Sequence, residues 1–486
     1  MKLLKLIEGL ENIDVLNKGN PEIRGFSDVS GEVKSGFLFG AFKGLKTDGI
    51  NYIDDAINRG ASAILTHKKV NYKGIPIIVS EKEREIFGKI IKKFYKNIDE
   101  RLKLIGITGT NGKTSVSFIL EALLNHLSFP VGVIGTIEYR WKNYREKARL
   151  TTPQVHKIYE LFEKMSKDNV QGVIIEVSSH AIDTKRVEPL SFDFGVFTNL
   201  SGDHLDYHKT MESYFSVKKG FIKKVWKGGG KVFVNGDDKY GKRILEELGN
   251  RAFSFGLSAE NDISVLEYEL KRKSTQLKVK FLNTILNIKT NLIGLANVYN
   301  VLPAIGILKG FGVNFSEIEK AFESLRIRIP GRMEAVENPY TNIFIDYSHS
   351  DDSLRKAILT LKQLGFNRII TVFGAGGDRD KSKRPRMGRV ATELSDISII
   401  TSDNPRSEDP VEIINDIIKG AVNGDYIVEV DRRKAIEKAV EIAEENDVVL
   451  IAGKGHEDYQ ILKNRIIHFS DFEEAVKAIK EVKGQW

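Results

Sequence analysis

The chain of 486 residues contains no cysteine. This absence excludes disulfide bonds, thiolate catalysis and zinc sites that use cysteine ligands. No apolar run is long enough to span a bilayer, which argues against a membrane protein. A basic tail and a basic stripe interleaved with aromatic residues are also missing, so a nucleic-acid partner is disfavoured although the net charge is +8. That modest positive charge equally suits a small anionic substrate.

What is present indicates a globular protein of several domains. Hydrophobic residues make up 41% and charged residues 29% of the chain, a composition that can bury sizeable cores. The length suggests two to four domains. The opening stretch "MKLLKLIEGLENIDVL" carries acidic residues within its apolar pattern, so we predict a helix and no signal peptide. Together these features favour the cytoplasm.

The pattern along the chain predicts an α/β protein with three parts. Residues 1–99 mix short strands and helices, and residues 100–329 alternate buried strands such as "KLIGIT" with amphipathic helices. The alternation starts afresh in residues 330–486, with strands such as "NIFIDYS" and "DVVLIAG". Short apolar runs bounded by turn residues are typical of parallel sheets covered on both faces. The Pro330-Gly331 pair interrupts regular structure and marks a possible hinge.

The stretch "IGITGTNGKTS" at residues 105–115 has the context of a phosphate loop, because it joins a predicted strand to a predicted helix. Its glycines do not fit the G-x-x-x-x-G-K-[ST] spacing, since Ile107 stands where the first glycine is expected. Gly109 and Gly112 still allow a tight turn whose N–H groups point inward at the start of a helix. We therefore predict that Lys113 contacts the β- and γ-phosphates of a nucleotide and that Thr114 binds Mg²⁺.

The loop "GITGTNGKT" resembles that of the Mur ligases and folylpolyglutamate synthases, whose own form is T-G-T-N-G-K-[ST]. Further segments resemble motifs of the same family in the same order: "EVSSHAIDTKRV" (176–187), "TNLSGDHLDYH" (198–208), "YFSVKKGF" (214–221), "GLANVYNVLPA" (294–304), "PGRME" (330–334), "DYSHSDD" (346–352), "GAGGDRDKSKRPRMG" (374–388), "DNPRSEDP" (403–410) and "GKGHEDYQ" (453–460). The resemblance extends over nearly the whole chain.

The resemblance implies an ATP-dependent carboxylate–amine ligase that acts through an acyl phosphate in peptidoglycan synthesis. It implies three domains: an N-terminal UDP-binding α/β domain, a central parallel-sheet domain similar to P-loop NTPases, and a C-terminal Rossmann-like domain. The expected reaction adds a third amino acid to UDP-N-acetylmuramoyl-dipeptide. Open alternatives are the same ligase using L-lysine or another diamino acid, another Mur ligase, or a folylpolyglutamate synthase. We expect a cytoplasmic monomer without a membrane or nucleic-acid partner.

The resemblance also assigns ATP and metal residues. ATP binding is expected at the loop and at four positions further along the chain: Gly109, Thr110, Asn111, Gly112, Lys113, Thr114, Asn297, Arg332, Asp346 and His349. The expected Mg²⁺ site comprises Thr114, Glu176, His204 and a carbamylated Lys218, and the expected catalytic residues are Lys113, Lys218, Glu176 and His204. An amide synthesis of this kind needs cations between the substrate carboxylate and the γ-phosphate, because the two repel each other.

Substrate contacts are carried over in the same way. The sugar-peptide is expected at Ser30, Thr151, Thr152, Ser178 and Arg186, although Val29, Gly31 and Thr184 depart from the family pattern. The incoming amino acid is expected at Arg379, Asp403, Asn404, Arg406, Gly453 and Glu457. An arginine can bind a carboxylate through two parallel hydrogen bonds, and in the family "DNPR" accompanies meso-diaminopimelate. This acid is therefore the expected substrate, while relatives with this arginine can accept other diamines.

Overall fold

The computed structural model describes residues 1–44, 47–422 and 426–484. The chain forms two compact units. The first unit comprises Met1–Ser264 and Leu302–Asn314, and the second comprises Val265–Val301 and Phe315–Trp486. The predicted boundary at 329/330 lies within the second unit, and the three-part division stays a prediction.

The first unit begins with a small mixed sheet. Its strands run in the order β1-β5-β4-β3-β2, and only β1 is antiparallel to its neighbour. The opening stretch forms a shorter helix than predicted, because Gly9 and Asn12 adopt positive φ and the chain then continues as a strand. The elements are α1 (Leu3–Ile7), β1 (Asp14–Leu16), β2 (Gly25–Ser27), β3 (Phe37–Ala41), α2 (Ile53–Asn58), β4 (Ala61–Thr66), β5 (Ile77–Val79) and α3 (Glu83–Phe94).

The larger sheet of the first unit is mainly parallel. The strand order is β13-β12-β11-β6-β10-β7-β8-β9, parallel from β13 to β7 and antiparallel from β7 to β9. The elements are β6 (Lys103–Thr108), α4 (Lys113–His126), β7 (Val131–Ile134), β8 (Glu138–Trp141), β9 (Tyr144–Lys147), α5 (Val155–Lys167), β10 (Gly172–Glu176), α6 (Ser179–Asp183), β11 (Phe194–Phe197), α7 (Leu205–His208), α8 (Met211–Lys227), β12 (Lys231–Asn235), α9 (Lys239–Leu248) and β13 (Ala252–Gly256). The strand and helix predicted on either side of the phosphate loop are both confirmed.

The chain then passes between the two units. Strand β14 pairs in parallel with β13 through Ile263 and Ser264 and continues into the second unit, where β15 and β16 pair antiparallel. The elements of this stretch are β14 (Ile263–Lys271), β15 (Ser274–Phe281), β16 (Thr284–Thr290), α10 (Leu295–Gly310) and α11 (Phe315–Ser324).

The remainder of the second unit contains a doubly wound sheet, as the sequence predicts. Its order is β17-β18-β22-β19-β20-β21, and all strands except β17 are parallel to their neighbours. The elements are β17 (Glu334–Val336), β18 (Asn342–Asp346), α12 (Asp351–Gln363), β19 (Ile369–Phe373), α13 (Lys383–Leu394), β20 (Ile397–Ile400), α14 (Pro410–Ile418), β21 (Tyr426–Val428), α15 (Arg432–Ile442), β22 (Val448–Ala452), β23 (Tyr459–Leu462), β24 (Arg465–His468) and α16 (Asp471–Val482). Strands β23 and β24 form a separate hairpin.

Successive apolar side chains along the central strands point to opposite faces of this sheet, so two hydrophobic cores form, one on each face. Leu450 packs with the residues of α12, α13 and α14, whereas Val449 and Ile451 pack with α15 and α16. Since both faces are covered, the polar groups of the loops collect at the carboxyl ends of the strands, where open α/β sheets bind ligands. None of the helices in the described part of the chain combines the length and apolar character that crossing a bilayer requires.

The packing of α12 gives a test of this core. Leu361 is fully buried, whereas Leu359 of the same helix is 39% exposed. We expect Leu361→Ala to lower the free energy of unfolding by about 2–5 kcal/mol, because it leaves a cavity. Leu359→Ala is the matched control and should change it by less than ~0.5 kcal/mol. Urea unfolding followed by circular dichroism measures both, and equal losses would contradict this account of the core.

Candidate active site

The phosphate loop lies between β6 and α4 and depends on its glycines. Gly109 has φ +147° and Gly112 has φ +88°, which other residues rarely adopt. A Cβ atom on Gly109 would lie 1.9 Å from the hydroxyl oxygen of Thr198. The loop therefore has this shape only because both positions lack side chains.

Two residues after β11 hold the loop in place. The backbone N–H groups of Thr110 and Asn111 donate to the backbone and side-chain oxygens of Asn199, at 2.9 and 3.0 Å. The hydroxyl of Thr198 donates to the carbonyl of Asn111 at 2.6 Å. The motif that contains these residues is visible in the sequence, but their role is not, since only the parallel pairing of β11 with β6 brings them to the loop.

Two lysines meet at one carbonyl of the loop. The ammonium groups of Lys113 and Lys218 donate to the carbonyl of Gly109, at 2.9 and 2.8 Å. Lys218 is 1% exposed. Burial, and then the charge of Lys113, lower the pKa of Lys218 well below its usual value. The ammonium group of Lys113 and the N-terminus of α4 make this loop a suitable site for a polyanion.

Glu176 supplies the negative side of the site. It ends β10, beside Ile107 of β6, and is 1% exposed. Its carboxylate accepts hydrogen bonds from the hydroxyls of Thr114 at 2.8 Å and Thr136 at 2.7 Å. A Cβ atom on Gly135 would lie 2.4 Å from this carboxylate, so the close approach requires glycine. Carboxylate and hydroxyl oxygens are the ligands that Mg²⁺ prefers. Thr136 belongs to no motif recognised in the sequence and was not predicted.

His204 does not join Thr114 and Glu176 in this structure. It has φ +53°, its side chain is about half exposed, and its Nε2 lies 3.5 Å from the carboxylate of Asp203. Its ring packs edge-on against His180, with centroids 5.1 Å apart. Within residues 1–44, 47–422 and 426–484, no three histidine or acidic side chains are grouped as a metal site. The metal role of His204 stays a prediction.

Four of the predicted sugar-peptide residues are linked by a series of contacts that starts at Glu176. Thr152 donates to the carbonyl of Glu176 at 2.7 Å and accepts from the N–H of Ser178 at 3.0 Å. Arg186 donates to the carbonyl of Thr152 at 2.9 Å, and the hydroxyl of Thr151 lies 3.2 Å from that of Thr136. These four residues are therefore connected to Glu176 through hydrogen bonds and close contacts.

Ser30 is not part of that series of contacts and lies between β2 and β3 of the small mixed sheet. It begins a 3-10 helix, Ser30–Glu32. A hydrogen bond from Ser30, and then one from Arg59, lower the pKa of Asp55. The predicted sugar-nucleotide role of Ser30 stays a prediction.

A buried polar cluster lies next to Arg186 and was missed by the sequence analysis. The Oδ1 of Asp28 lies 3.8 Å from the Nδ1 of His156. These two atoms and the Nε of Arg186 are buried without a hydrogen-bond partner among the described residues. Burial raises the pKa of Asp28 and lowers that of Arg186. Buried polar atoms are rarely left unpaired, so this cluster adds Asp28 and His156 to the candidate substrate contacts.

In the second unit, Arg379 and Arg406 converge on the loop after β19. Arg406 has φ +53° and donates through its guanidinium to the carbonyl of Gly377 at 2.7 Å. Its backbone N–H donates to Ile461 of the β23–β24 hairpin at 3.0 Å. A Cβ atom on Gly376 would lie 2.8 Å from Arg406 Nη1 and 3.7 Å from the Arg379 side chain. Two arginine side chains thus lie next to Gly376, where no side chain blocks access, and this arrangement suits a carboxylate ligand.

Asn404 and Glu457 are joined by a lysine that the sequence analysis did not select. Asn404 donates to Glu457 at 2.8 Å, and Lys454 Nζ lies 3.4 Å from both side chains. Lys454 is fully buried. A Cβ atom on Gly453 would lie 2.6 Å from the carboxylate of Asp403. The structure therefore brings Asn404 to Glu457 and Asp403 to Gly453, whereas the Arg406 side chain lies against Gly377.

The ATP-side residues of the second unit gather around Tyr347, with one exception. Arg332 lies over the Tyr347 ring at 4.5 Å, and His349 Nδ1 lies 2.9 Å from the Tyr347 carbonyl. Asp346 accepts from the N–H of Met333 at 2.8 Å. Asn297, in contrast, lies on α10 and donates to the carbonyl of Ile293 at 2.9 Å.

Comparison with protein families matches consecutive parts of the chain. Residues 23–106 match the Mur ligase family catalytic domain, residues 107–308 match the Mur ligase middle domain, and residues 331–455 match the Mur ligase glutamate ligase domain.

Individual proteins extend this similarity to the whole chain. The UDP-N-acetylmuramoyl-L-alanyl-D-glutamate–2,6-diaminopimelate ligase of Clostridium tetani is 38% identical over 491 aligned positions, covering 99% of this chain and 100% of the relative. A solved structure of a ligase of that name has a TM-score of 0.75 at 27% identity and covers 100% of both chains. The MurF ligase of Thermotoga maritima in complex with ADP has a TM-score of 0.63 at 19% identity, covering 94% of this chain and 97% of that one, which concerns the fold alone. The chain belongs to the Mur ligase family of ATP-dependent amide ligases.

Proposed function

We propose that this ligase adds meso-diaminopimelate to UDP-N-acetylmuramoyl-L-alanyl-D-glutamate, with cleavage of ATP to ADP and phosphate. The observation that carries the proposal is the pair of amines on the Gly109 carbonyl, Lys113 and Lys218, in the same unit as the Thr114–Glu176 pair. The relatives named as diaminopimelate ligases support the choice of substrates.

The chemistry follows from the charges. A carboxylate oxygen of the dipeptide attacks the γ-phosphorus of ATP, ADP leaves, and an acyl phosphate forms. The amine then attacks the acyl carbon, inorganic phosphate leaves, and the nitrogen loses a proton. Carboxylate and triphosphate repel each other, so the first step needs fixed positive charge between them. Lys113 and the N-terminus of α4 supply such charge at the loop.

Thr114 and Glu176 would hold Mg²⁺, since their oxygens already lie 2.8 Å apart. When bound there, Mg²⁺ would neutralise phosphate charge and orient the terminal phosphoryl group. The depressed pKa of Lys218 supports its carbamylation, because only a neutral amine attacks CO₂. That reaction forms an N–C bond, releases one proton and gives the side chain a carboxylate-like end, which suits a hard cation.

In the second unit, Arg406 and Arg379 would bind the distal carboxylate of the diamino acid, and Glu457 its distal ammonium group. L-Lysine has no distal carboxylate, so it would make no charge-assisted hydrogen bond with the arginines and would bind more weakly. We further propose that the enzyme works as a cytoplasmic monomer with parts bounded at residues 1–99, 100–329 and 330–486.

The proposal is tested by phosphate release with UDP-N-acetylmuramoyl-L-alanyl-D-glutamate and a panel of amino acids. We expect the highest kcat/KM with meso-diaminopimelate and at least a roughly 10-fold lower value with L-lysine, because L-lysine lacks a charge-assisted hydrogen bond. A preference for L-lysine would overturn the choice of amino acid. Peptide extension without ADP would overturn the reaction itself.

Lys218 gives a prediction for the metal site. We expect Lys218→Ala to lower kcat by at least roughly 100-fold, as when a charge-stabilising group is removed from an active site. A short-chain carboxylate such as acetate should restore part of the activity by replacing the carbamate. Lys219→Ala is the matched control, because Lys219 stands next to it on α8 and pairs with Glu247 at 3.0 Å. Full activity of Lys218→Ala without additive would refute the carbamate.

Arg406 gives a prediction for amino-acid recognition. Arg406→Ala should raise the KM for meso-diaminopimelate by about 10- to 100-fold, the value of a hydrogen bond to a charged group, and change the KM for ATP by less than about twofold. Residual turnover of L-lysine should be nearly unaffected. Arg386→Ala is the control, since Arg386 pairs with Asp351 at 3.1 Å on the surface. Equal changes in both KM values would instead make Arg406 structural.

A further inference from the structure

A buried ion pair behind the amino-acid loops has no role in the site described so far. Arg432 is the first residue of α15 and Asp471 the first residue of α16, and both side chains are fully buried. The guanidinium donates to both carboxylate oxygens, Nε to Oδ1 at 2.7 Å and Nη2 to Oδ2 at 2.8 Å. This fork-shaped pairing fixes the orientation of the guanidinium plane.

The rest of the guanidinium is directed at the backbone of two loops. Nη2 also donates to the carbonyl of Ala452 at 2.9 Å, and Nη1 donates to the carbonyl of Ser402 at 3.4 Å. These carbonyls immediately precede Gly453, the first residue after β22, and Asp403, the third residue after β20. The Arg432 side chain therefore forms hydrogen bonds with the backbone near the start of both loops.

The two loops are in contact at this point. A Cβ atom on Gly453 would lie 2.6 Å from an Asp403 carboxylate oxygen and 3.9 Å from Arg432 Nη2, so these residues converge. Gln460 continues the connection by donating to the carbonyl of Asp403 at 2.7 Å and to the hydroxyl of Ser402 at 3.2 Å. A displacement of Ser402 or Ala452 would thus reach the proposed amino-acid contacts directly.

Stability alone does not account for a charged pair here. Burying two charges costs solvation that their attraction only partly returns, and apolar replacements are often as stable. An apolar pair, however, could not donate to two backbone carbonyls. The guanidinium is thus a directional support: it makes four hydrogen bonds, two to the carboxylate of Asp471 and two to backbone carbonyls.

We propose that Arg432, oriented by Asp471, is a positioning residue that sets the spacing of the two amino-acid-binding loops and so the selectivity for the incoming amino acid. The inference rests on the proposed function, because that function places the amino acid between these loops. Lysine cannot replace the arginine, since one ammonium group cannot reach the carboxylate and both carbonyls in this planar arrangement.

The chain offers a matched control in the same sheet. Arg368 donates to Asp447 at 3.0 and 2.6 Å, but both residues precede strands, β19 and β22, and so lie at the opposite edge from the loops. Asp447 is buried. Breaking this pair perturbs a similar interaction without touching the amino-acid loops.

The test compares Arg432→Lys and Asp471→Glu with Arg368→Lys in the full-length enzyme. We expect both variants of the buried pair to raise the KM for meso-diaminopimelate on the order of 10- to 100-fold, because small misplacements of binding groups are costly. The KM for ATP should change by less than about twofold, and Arg368→Lys should leave both values near wild type. A folded variant of the buried pair with an unchanged KM for the amino acid, or with equal changes for both substrates, would overturn the proposal.

A second readout does not depend on the identity of the substrate. Hydrogen–deuterium exchange without substrate should increase in residues 402–406 and 453–457 of Asp471→Glu, which keeps the charges and shifts only the carboxylate. It should not increase there in Arg368→Lys. Unchanged exchange in both loops would overturn the positioning role even if the wild-type enzyme proves to use another amino acid. If wild type releases no phosphate with any diamino acid, the proposed function fails while the exchange result still decides the role of Arg432.

Discussion

The first unit depends on one carbonyl group, that of Gly109, to which Lys113 and Lys218 both donate. Bringing two amines to one point of a buried site is unfavourable unless an anion or a neutralising change balances them. The surrounding structure maintains this arrangement: Thr198 and Asn199 hold the loop, and glycine is required where the backbone approaches Thr198. Burial and the charge of Lys113 lower the pKa of Lys218, so Lys113 and the N-terminus of α4 are the positive groups that a triphosphate would meet at this loop.

The second unit uses a related arrangement for a different ligand. Its loops leave the carboxyl ends of neighbouring parallel strands, where backbone groups have no ladder partners. Arg432 provides such partners by donating to the backbone carbonyls of Ser402 and Ala452. A second buried cation, Lys454, lies 3.4 Å from the side-chain oxygens of Asn404 and Glu457. The groups proposed to contact the amino acid, such as Arg406, therefore stand on a rigid base. Rigid support of this kind is what allows selection between amino acids that differ in one carboxylate.

The sequence predicted most of the elements that carry the site, because short apolar runs next to glycine and polar turns are strong signals for parallel strands. The strand before Gly109 and the helix after it are both present. The prediction of a helix at the start of the chain was wrong beyond Ile7, because the left-handed backbone at Gly9 and Asn12 ends the helix despite the apolar pattern. Thr136, Lys454 and Arg432 were missed because their partners are remote in sequence or are backbone carbonyls, which leave no trace in residue type.

By itself the sequence determined the kind of chemistry: glycines that permit a phosphate loop, a lysine and a threonine at its end, and arginines among acidic residues for a charged amino acid. These are properties of residue types and short spacings, which a linear chain displays directly. Only the tertiary structure decided which of these groups meet. Parallel pairing of β10 and β11 with β6 brings Glu176 to Thr114 and Asn199 to the loop, while leaving His204 beside His180. These side-chain contacts depend on strand register and on which buried polar groups form hydrogen bonds. Both are set by the packing of the whole unit.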